Sequence, residues 1–266
     1  QGLQIPLELP EGVQWKPFYI VRGHTPSLDS FTWHVSALSP GGCPHPPHSH
    51  EEEEILIVLS GNPEIHLPSQ EEGTSDIRCL LKPGDFVYYP AGFAHTIVNT
   101  GKTTANYTMM RWRSYRRNPS ESGSSYLRFT YPYTGEKNRQ KLAFEKQDLF
   151  DCSTRYLKNL HSHCTTLGPR GGYDSHRDEH DVAIIVLEGT IRIWGKELGP
   201  FGIVHIPSGC RHDMYNPSDT TACYLVFEFH GQKSPSAGIL GFLGRGKDTC
   251  THLYRRIKRK VKQILV

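Results

Sequence analysis

Apolar residues in this 266-residue chain recur mostly on a two-residue period, with little helical repeat outside the tail. Residues 31–40 (FTWHVSALSP), the alternating NPEIHLP, IRCLLKPGD, FVYYP and ANYTMMRWRSY read as successive strands separated by Gly, Pro and Asn turns. Residues 1 to about 30 are Pro- and Gly-rich and read as a leading arm with one or two edge strands. The segment RRNPSESGSS opens a connection over 116–147, with LRFTYPY as an edge strand on either flanking unit.

Beyond the connection the pattern repeats. HSHEEEEILIVLSG at 48–61 aligns with HRDEHDVAIIVLEG at 176–189, and PAGFAHTIVN at 90–99 with PSGCRHDMYN at 207–216, each without a gap. A repeat of this kind marks a duplicated unit. The expectation is therefore an all-β chain with a first unit at 1–115, a linker at 116–147, a second unit at 148–231 and a tail at 232–266. In the tail, Leu253, Ile257, Val261, Ile264 and Leu265 recur at helical steps, while Arg255, Arg256, Lys258, Arg259, Lys260 and Lys262 fill the other face. This predicts a short amphipathic helix, docked on the second unit or offered to a membrane surface or anionic polymer.

Chemistry enters at residues 42–61. On an extended strand His48 and His50 project to one face, and Glu54 follows four residues later. Two imidazoles and a carboxylate suit Mn, Fe, Co, Ni or Zn, and His95 offers a further ligand. The motifs are specific: Gly42, His48, His50, Glu54 and Gly61 match Gly-x5-His-x-His-x3-Glu-x6-Gly, and Gly84, Pro90, Gly92, His95 and Asn99 match Gly-x5-Pro-x-Gly-x2-His-x3-Asn. At these ten positions the sequence resembles the cupin superfamily. The resemblance implies two tandem cupin-type β-barrels (the double-stranded β-helix, or jelly roll), a bicupin. It also implies one divalent metal held by His48, His50, Glu54 and His95 in the N-terminal barrel.

The second copy departs from the pattern. His176 and His212 keep histidine positions, Asp178 replaces the second histidine and Val182 replaces the carboxylate. His176, Asp178 and His212 form a second, tentative metal set, and a hydrogen-bonded pair in an empty barrel is the alternative. His180 and Asp181 would join it only through a strand bulge. His45, Arg111 and Tyr107 are candidate substrate contacts, Arg111 because an inward guanidinium binds carboxylate or phosphate. Trp33 and His34 share strands that should line the barrel, with half of such residues facing out. Three of the acids Glu51–Glu54 are expected to face solvent or cap the strand, and His161 and His163 to be ordinary strand residues.

Composition narrows the partners. A net charge of +3 is too small to imply a nucleic-acid partner, and no stretch approaches a membrane span. Seven scattered cysteines read as separate thiols in a reducing compartment, so a cytoplasmic location is expected, with a removed leader left open because residue 1 is Gln. Three functions remain. One is a metal-dependent enzyme on a small oxygenated substrate, of dioxygenase (oxidoreductase) or Lewis-acid isomerase, hydrolase or decarboxylase type. The others are a non-catalytic sugar or small-molecule binding bicupin and a storage-type bicupin. Self-association into a homo-oligomer is compatible with each.

Overall fold

The computed structural model describes residues 8–69, 75–115, 127–130 and 144–232. The basic tail, and the helix expected in it, lie outside these residues. The described residues contain strands and no helix. The first barrel comprises β1 (Trp15–Gly23), β2 (Leu28–Leu38), β3 (Glu53–Ser60), β4 (Glu64–Leu67), β5 (Ile77–Leu80), β6 (Asp85–Tyr89), β7 (Thr96–Val98), β8 (Ala105–Ser114) and β9 (Leu127–Thr130). Then follow β10 (Phe144–Cys152), β11 (Leu157–Leu167), β12 (Gly172–Arg177), β13 (Asp181–Glu188), β14 (Ile191–Ile193), β15 (Lys196–Leu198), β16 (Ile203–Ile206), β17 (Arg211–Tyr215) and β18 (Ala222–Gly231).

Each barrel is a large antiparallel sheet closed by a small one. In the first, β1-β2-β8-β3-β6-β9 faces β5-β4-β7; in the second, β10-β11-β18-β13-β16 faces β12-β17-β14-β15. Leu56, Val58, Val87, Tyr107 and Met109 from the large sheet meet Ile65, Leu67 and Ile97 from the small sheet in the first barrel's core. Val182, Ile184, Val186 and Val226 meet Ile191, Ile193 and Met214 in the second. Even small irregularities repeat: the pairing of β1 with β2 shifts between Tyr19 and Val21, and that of β10 with β11 between Asp148 and Phe150.

The two large sheets pack back to back. Phe31, Trp33, Ile55, Ile57, Phe86, Met110 and Trp112 share one buried cluster with Leu157, Leu160, Ala183, Ile185, Leu225, Phe227 and Phe229. This explains the unbroken apolar run on β3 and β13. A strand buried on both faces loses the polar half of its alternation. On β3, Glu54, Leu56 and Val58 point into the barrel, while Glu53, Ile55 and Ile57 point into the interface. Trp33 likewise faces the interface and His34 the barrel, so alternation separates this pair.

Two buried acids tie the interface reciprocally. The Thr154 hydroxyl of the second barrel donates to Glu53 Oε2 at 2.7 Å, joined by Trp112 Nε1 at 2.8 Å, and the Tyr156 amide donates to Oε1 at 3.2 Å. In the opposite sense, the Thr25 hydroxyl of the first barrel donates to Asp181 Oδ2 at 2.7 Å, and the Ser27 hydroxyl donates to the same oxygen. Glu53 is therefore not one of the solvent-facing acids its sequence neighbours suggest; it is fully buried. Burial pushes its carboxyl up, and the donors from Thr154, Trp112 and Tyr156 oppose that shift.

Glycine is required where β3 and β13 turn away. Gly61 and Gly189 have φ of +75° and +66°, and a Cβ would stand 2.7 Å from the Cα of Ala105 and of Ala222 respectively. Cys210 is disulfide-bonded, which departs from the expectation of separate thiols, whereas Cys43, Cys79, Cys152, Cys164 and Cys223 carry no disulfide.

Replacing Glu53 with Ala strands three buried donors, so Glu53→Ala should lower unfolding free energy by about 3 kcal/mol. The exposed Glu51→Ala should change it by less than about 0.5 kcal/mol. Equal denaturant midpoints for the two variants would contradict the interface role.

Candidate metal centre

The site forms where the loop before β3 crosses β7. His48 and His95 exchange backbone hydrogen bonds of 3.2 and 3.1 Å, and the Gly92 amide donates to the His50 carbonyl at 2.7 Å. These bonds lay the loop carrying His48 and His50 against the start of β7. Glu54, on the inward face of β3, closes the group from the large sheet.

The backbone also selects the imidazole tautomers. His50 Nδ1 lies 3.0 Å from the Glu52 carbonyl and His95 Nδ1 lies 2.8 Å from the Phe93 carbonyl. A carbonyl can only accept, so each Nδ1 carries the hydrogen and each Nε2 faces inward. Those Nε2 atoms sit 3.2 and 3.6 Å from Glu54 Oε2. Ligand atoms of His50, Glu54 and His95 all fall within 4.8 Å of one another. His48 is not part of this ligand-atom group, although its ring lies 5.4 Å from His50 and 5.5 Å from His95, close to the 5.2 Å between those two, and it leans on His45 at 3.9 Å. His48 Nδ1 and His95 Nε2 are buried without a hydrogen-bond partner. Inward-facing nitrogens held by outer carbonyls, beside a carboxylate, are the donor set a borderline divalent ion takes. The residues fit such an ion.

Charge is arranged around Glu54. Burial would raise its pKa, but His50, His95 and Arg111 hold it well below the usual carboxylate range. Arg111 Nε donates to Glu54 Oε2 at 2.7 Å, so the guanidinium does face inward, toward an acid of its own chain. Burial lowers the His95 pKa but Glu54 more than restores it, so the net shift is upward; the Tyr89 ring stacks on it at 4.1 Å. Burial and the neighbouring imidazoles bring His48 down to about 4.

Two cavities meet at Arg111. A small one of about 20 Å³ is lined by His45, Glu54, Tyr89, His95, Tyr107 and Arg111, and has room for a water. An open cleft of about 420 Å³ is lined by Tyr19, Arg22, Thr32, His34, Glu52 and Arg111. His45 and Tyr107 thus belong to the small cavity, and burial pushes the Tyr107 phenol up, keeping it protonated. His34 and Arg22 were not among the candidate contacts read from the sequence. Alternation against Trp33 was the available signal for His34; Arg22 had none.

The second barrel preserves the geometry with different donors. His176 and His212 lie in register on β12 and β17, with rings 4.4 Å apart. Their Nε2 atoms are 3.5 and 3.4 Å from the Asp178 carboxylate, while each Nδ1 faces a backbone carbonyl, of Asp174 and Cys210. The three tentative residues are therefore together, though Val182 leaves the fourth position apolar and His176 is about half exposed.

The cupin-domain family model matches residues 34–111 and 164–228, together more than half of the chain. The chain belongs to the cupin family. The protein from Pseudomonas aeruginosa named as glyoxylate-induced has a similar cupin structure, with a TM-score of 0.61 and 17% identity over 85% of this chain and 84% of that one. Protein Ylba from E. coli superposes with a TM-score of 0.60 and 14% identity over 87% and 89% of the two chains. A mutant of the oxalate decarboxylase OxdC from Bacillus subtilis gives 0.53 and 13% over 84% and 77%. In sequence, germin-like protein subfamily 1 member 7 of Arabidopsis thaliana is 36% identical over 70 residues, 26% of this cupin and 30% of that protein's length.

His34 supplies a pH test of the site's burial. Desolvation lowers its pKa from 6.5 to about 4, with Glu54 raising it and Arg111 lowering it further. Between those values the unfolded chain holds a proton the folded barrel does not, so stability falls as pH falls. The slope from this group approaches about 1.4 kcal/mol per pH unit and vanishes again below about 4. Denaturation of the metal-free protein across this range should show a shallower slope for His34→Gln. An identical slope would place this imidazole in water.

Proposed function

We propose that this cupin is a metal-dependent enzyme acting on a small, oxygen-rich carboxylate at the first barrel. His48, His50, Glu54 and His95 would hold one divalent ion of the Mn, Fe, Co, Ni or Zn group. The observation that carries the reading is the convergence of two oriented Nε2 atoms and the Glu54 carboxylate beside a cleft with two arginines. A divalent ion there supplies Lewis-acid polarisation of substrate oxygens and, if redox-active, an electron path to O2. Dioxygenase, decarboxylase, isomerase and hydrolase chemistry are all accessible to that combination.

The remaining work falls to residues of the chain. Arg111 and Arg22 supply cationic donors in the cleft, the natural receptors of a carboxylate. Arg111 is held by Glu54, so its remaining donors are pre-oriented for a second acid at the cavity mouth. His34 is neutral at pH 7 and both its ring nitrogens are buried without a partner. It can therefore accept a proton from, or donate a hydrogen bond to, a bound substrate. Tyr107 stays a neutral phenol beside the ligand group. Names of the structural neighbours agree with a small-acid substrate: one is an oxalate decarboxylase and another is named for induction by glyoxylate.

His50→Ala should remove the ion of the first barrel and abolish turnover while leaving the β-sheet circular dichroism unchanged. Arg111→Gln should retain the ion and raise KM for carboxylate substrates about tenfold, the value of one charge-assisted hydrogen bond. A His50→Ala protein with the full metal content and activity of the wild type would end this reading.

A further inference from the structure

The second barrel carries a histidine cluster that the family motifs do not account for. We infer that His180, Glu228 and His230, with His163 as a fourth donor, form a separate divalent transition-metal site at the rim of the second barrel, apart from the positions of His176, Asp178 and His212.

The placement follows from parity and register. Glu228 on β18 lies opposite Val182 on β13 and opposite His161 on β11. His230 is two residues along β18 from Glu228, His180 two residues before Val182, and His163 two residues along β11 from His161. Glu228, His230, His161 and His163 thus share the inward face and continue it past Val182 and Val226 toward the opening, and His180 reaches Glu228 from the bend just before β13. The same register in the first barrel sets Arg111 opposite Glu54 and Thr32, with His34 opposite Met109. The cluster is therefore the counterpart of the first barrel's open cleft. There the cleft holds cationic guanidinium groups; here the same face holds imidazoles and an acid.

The distances suit a metal. Glu228 Oε2 lies 3.0 Å from His230 Nε2 and 3.4 Å from His180 Nε2, and Oε1 lies 3.6 Å from His163 Nδ1. The His180 and His230 rings stack at 3.9 Å, and ligand atoms of His180, Glu228 and His230 lie within 4.8 Å of one another. His163 is more than nine-tenths buried, and its Nδ1 has no hydrogen-bond partner. Behind it, His161 stands 5.3 Å away, 3.3 Å from both Asp148 and Asp151. Two or three imidazoles with one carboxylate select Zn, Co, Ni or Cu over Mg or Ca.

The test uses untagged full-length protein carrying His50→Ala, His176→Ala and His212→Ala, so that both motif positions are disabled. Titrated with Zn2+ by calorimetry and with Co2+ by visible absorption, it should still bind one equivalent. Adding His180→Gln and His230→Gln should abolish that equivalent. Glu228→Gln should weaken it at least tenfold, and Glu228→Arg, which repeats the residue type of Arg111 at the matching register, should remove it from a folded barrel. The inference is overturned if the triple variant binds no ion, or if the ion persists in Glu228→Arg. A wild-type-like metal content in His50→Ala alone would instead remove the function proposed for the first barrel and leave this site standing.

Discussion

Everything in this molecule depends on a strand that is buried on both sides. β3 and β13 are inner strands of their large sheets, between a barrel interior and the other barrel. Each opens with a buried acid turned toward the interface, Glu53 or Asp181, and that acid is satisfied by a threonine from the partner barrel, Thr154 or Thr25. A buried carboxylate without donors costs several kcal/mol, so these reciprocal bonds fix how the barrels meet. They also fix parity. Once Glu53 faces outward, Glu54 must face inward, and a slip of one residue would send the candidate ligand into the hydrophobic interface.

The interior of the first barrel is organised around the resulting inward charge. Glu54 Oε2 alone receives Arg111 and faces the Nε2 atoms of His50 and His95. Carbonyls of Glu52 and Phe93 turn those rings, so the backbone rather than side-chain chance decides which nitrogens converge. The second barrel keeps the carbonyl-oriented imidazoles of His176 and His212 but loses the inward acid at Val182. An acid reappears directly across the sheet, at Glu228. The two barrels share a scaffold but carry this acid on neighbouring strands, Glu54 on β3 in the first and Glu228 on β18 in the second.

Much of this was legible in the sequence. The all-β fold followed from two-residue alternation, and the family model matches one segment in each of the two units that the gap-free repeat marks. The gathering of His50, Glu54 and His95 agrees with the motif spacing, whereas His48 and His50 sit in the loop before β3 rather than on the extended strand expected of an i, i+2 pair. The positions that escaped have common causes. Glu53 looked like a surface acid because four consecutive glutamates carry no sign of which faces a second barrel. Arg22 lines the cleft through pairings across the sheet that local pattern does not encode, whereas His34 was on a strand expected to line the barrel and alternation against Trp33 decides its face. His161 and His163 are strand residues as expected, on β11; the contact of His163 with Glu228, 65 residues further along, is what local pattern does not show. The helix expected in the tail falls outside the described residues.

The most direct measurement of the central claim is anomalous diffraction from crystals of the protein, recorded on both sides of the absorption edge of its bound metal. The account predicts a peak enclosed by His48, His50, Glu54 and His95, with nitrogen and oxygen ligands at about 2.0–2.2 Å if the ion is zinc. A metal-loaded crystal with no anomalous density between β3 and β7 would contradict it.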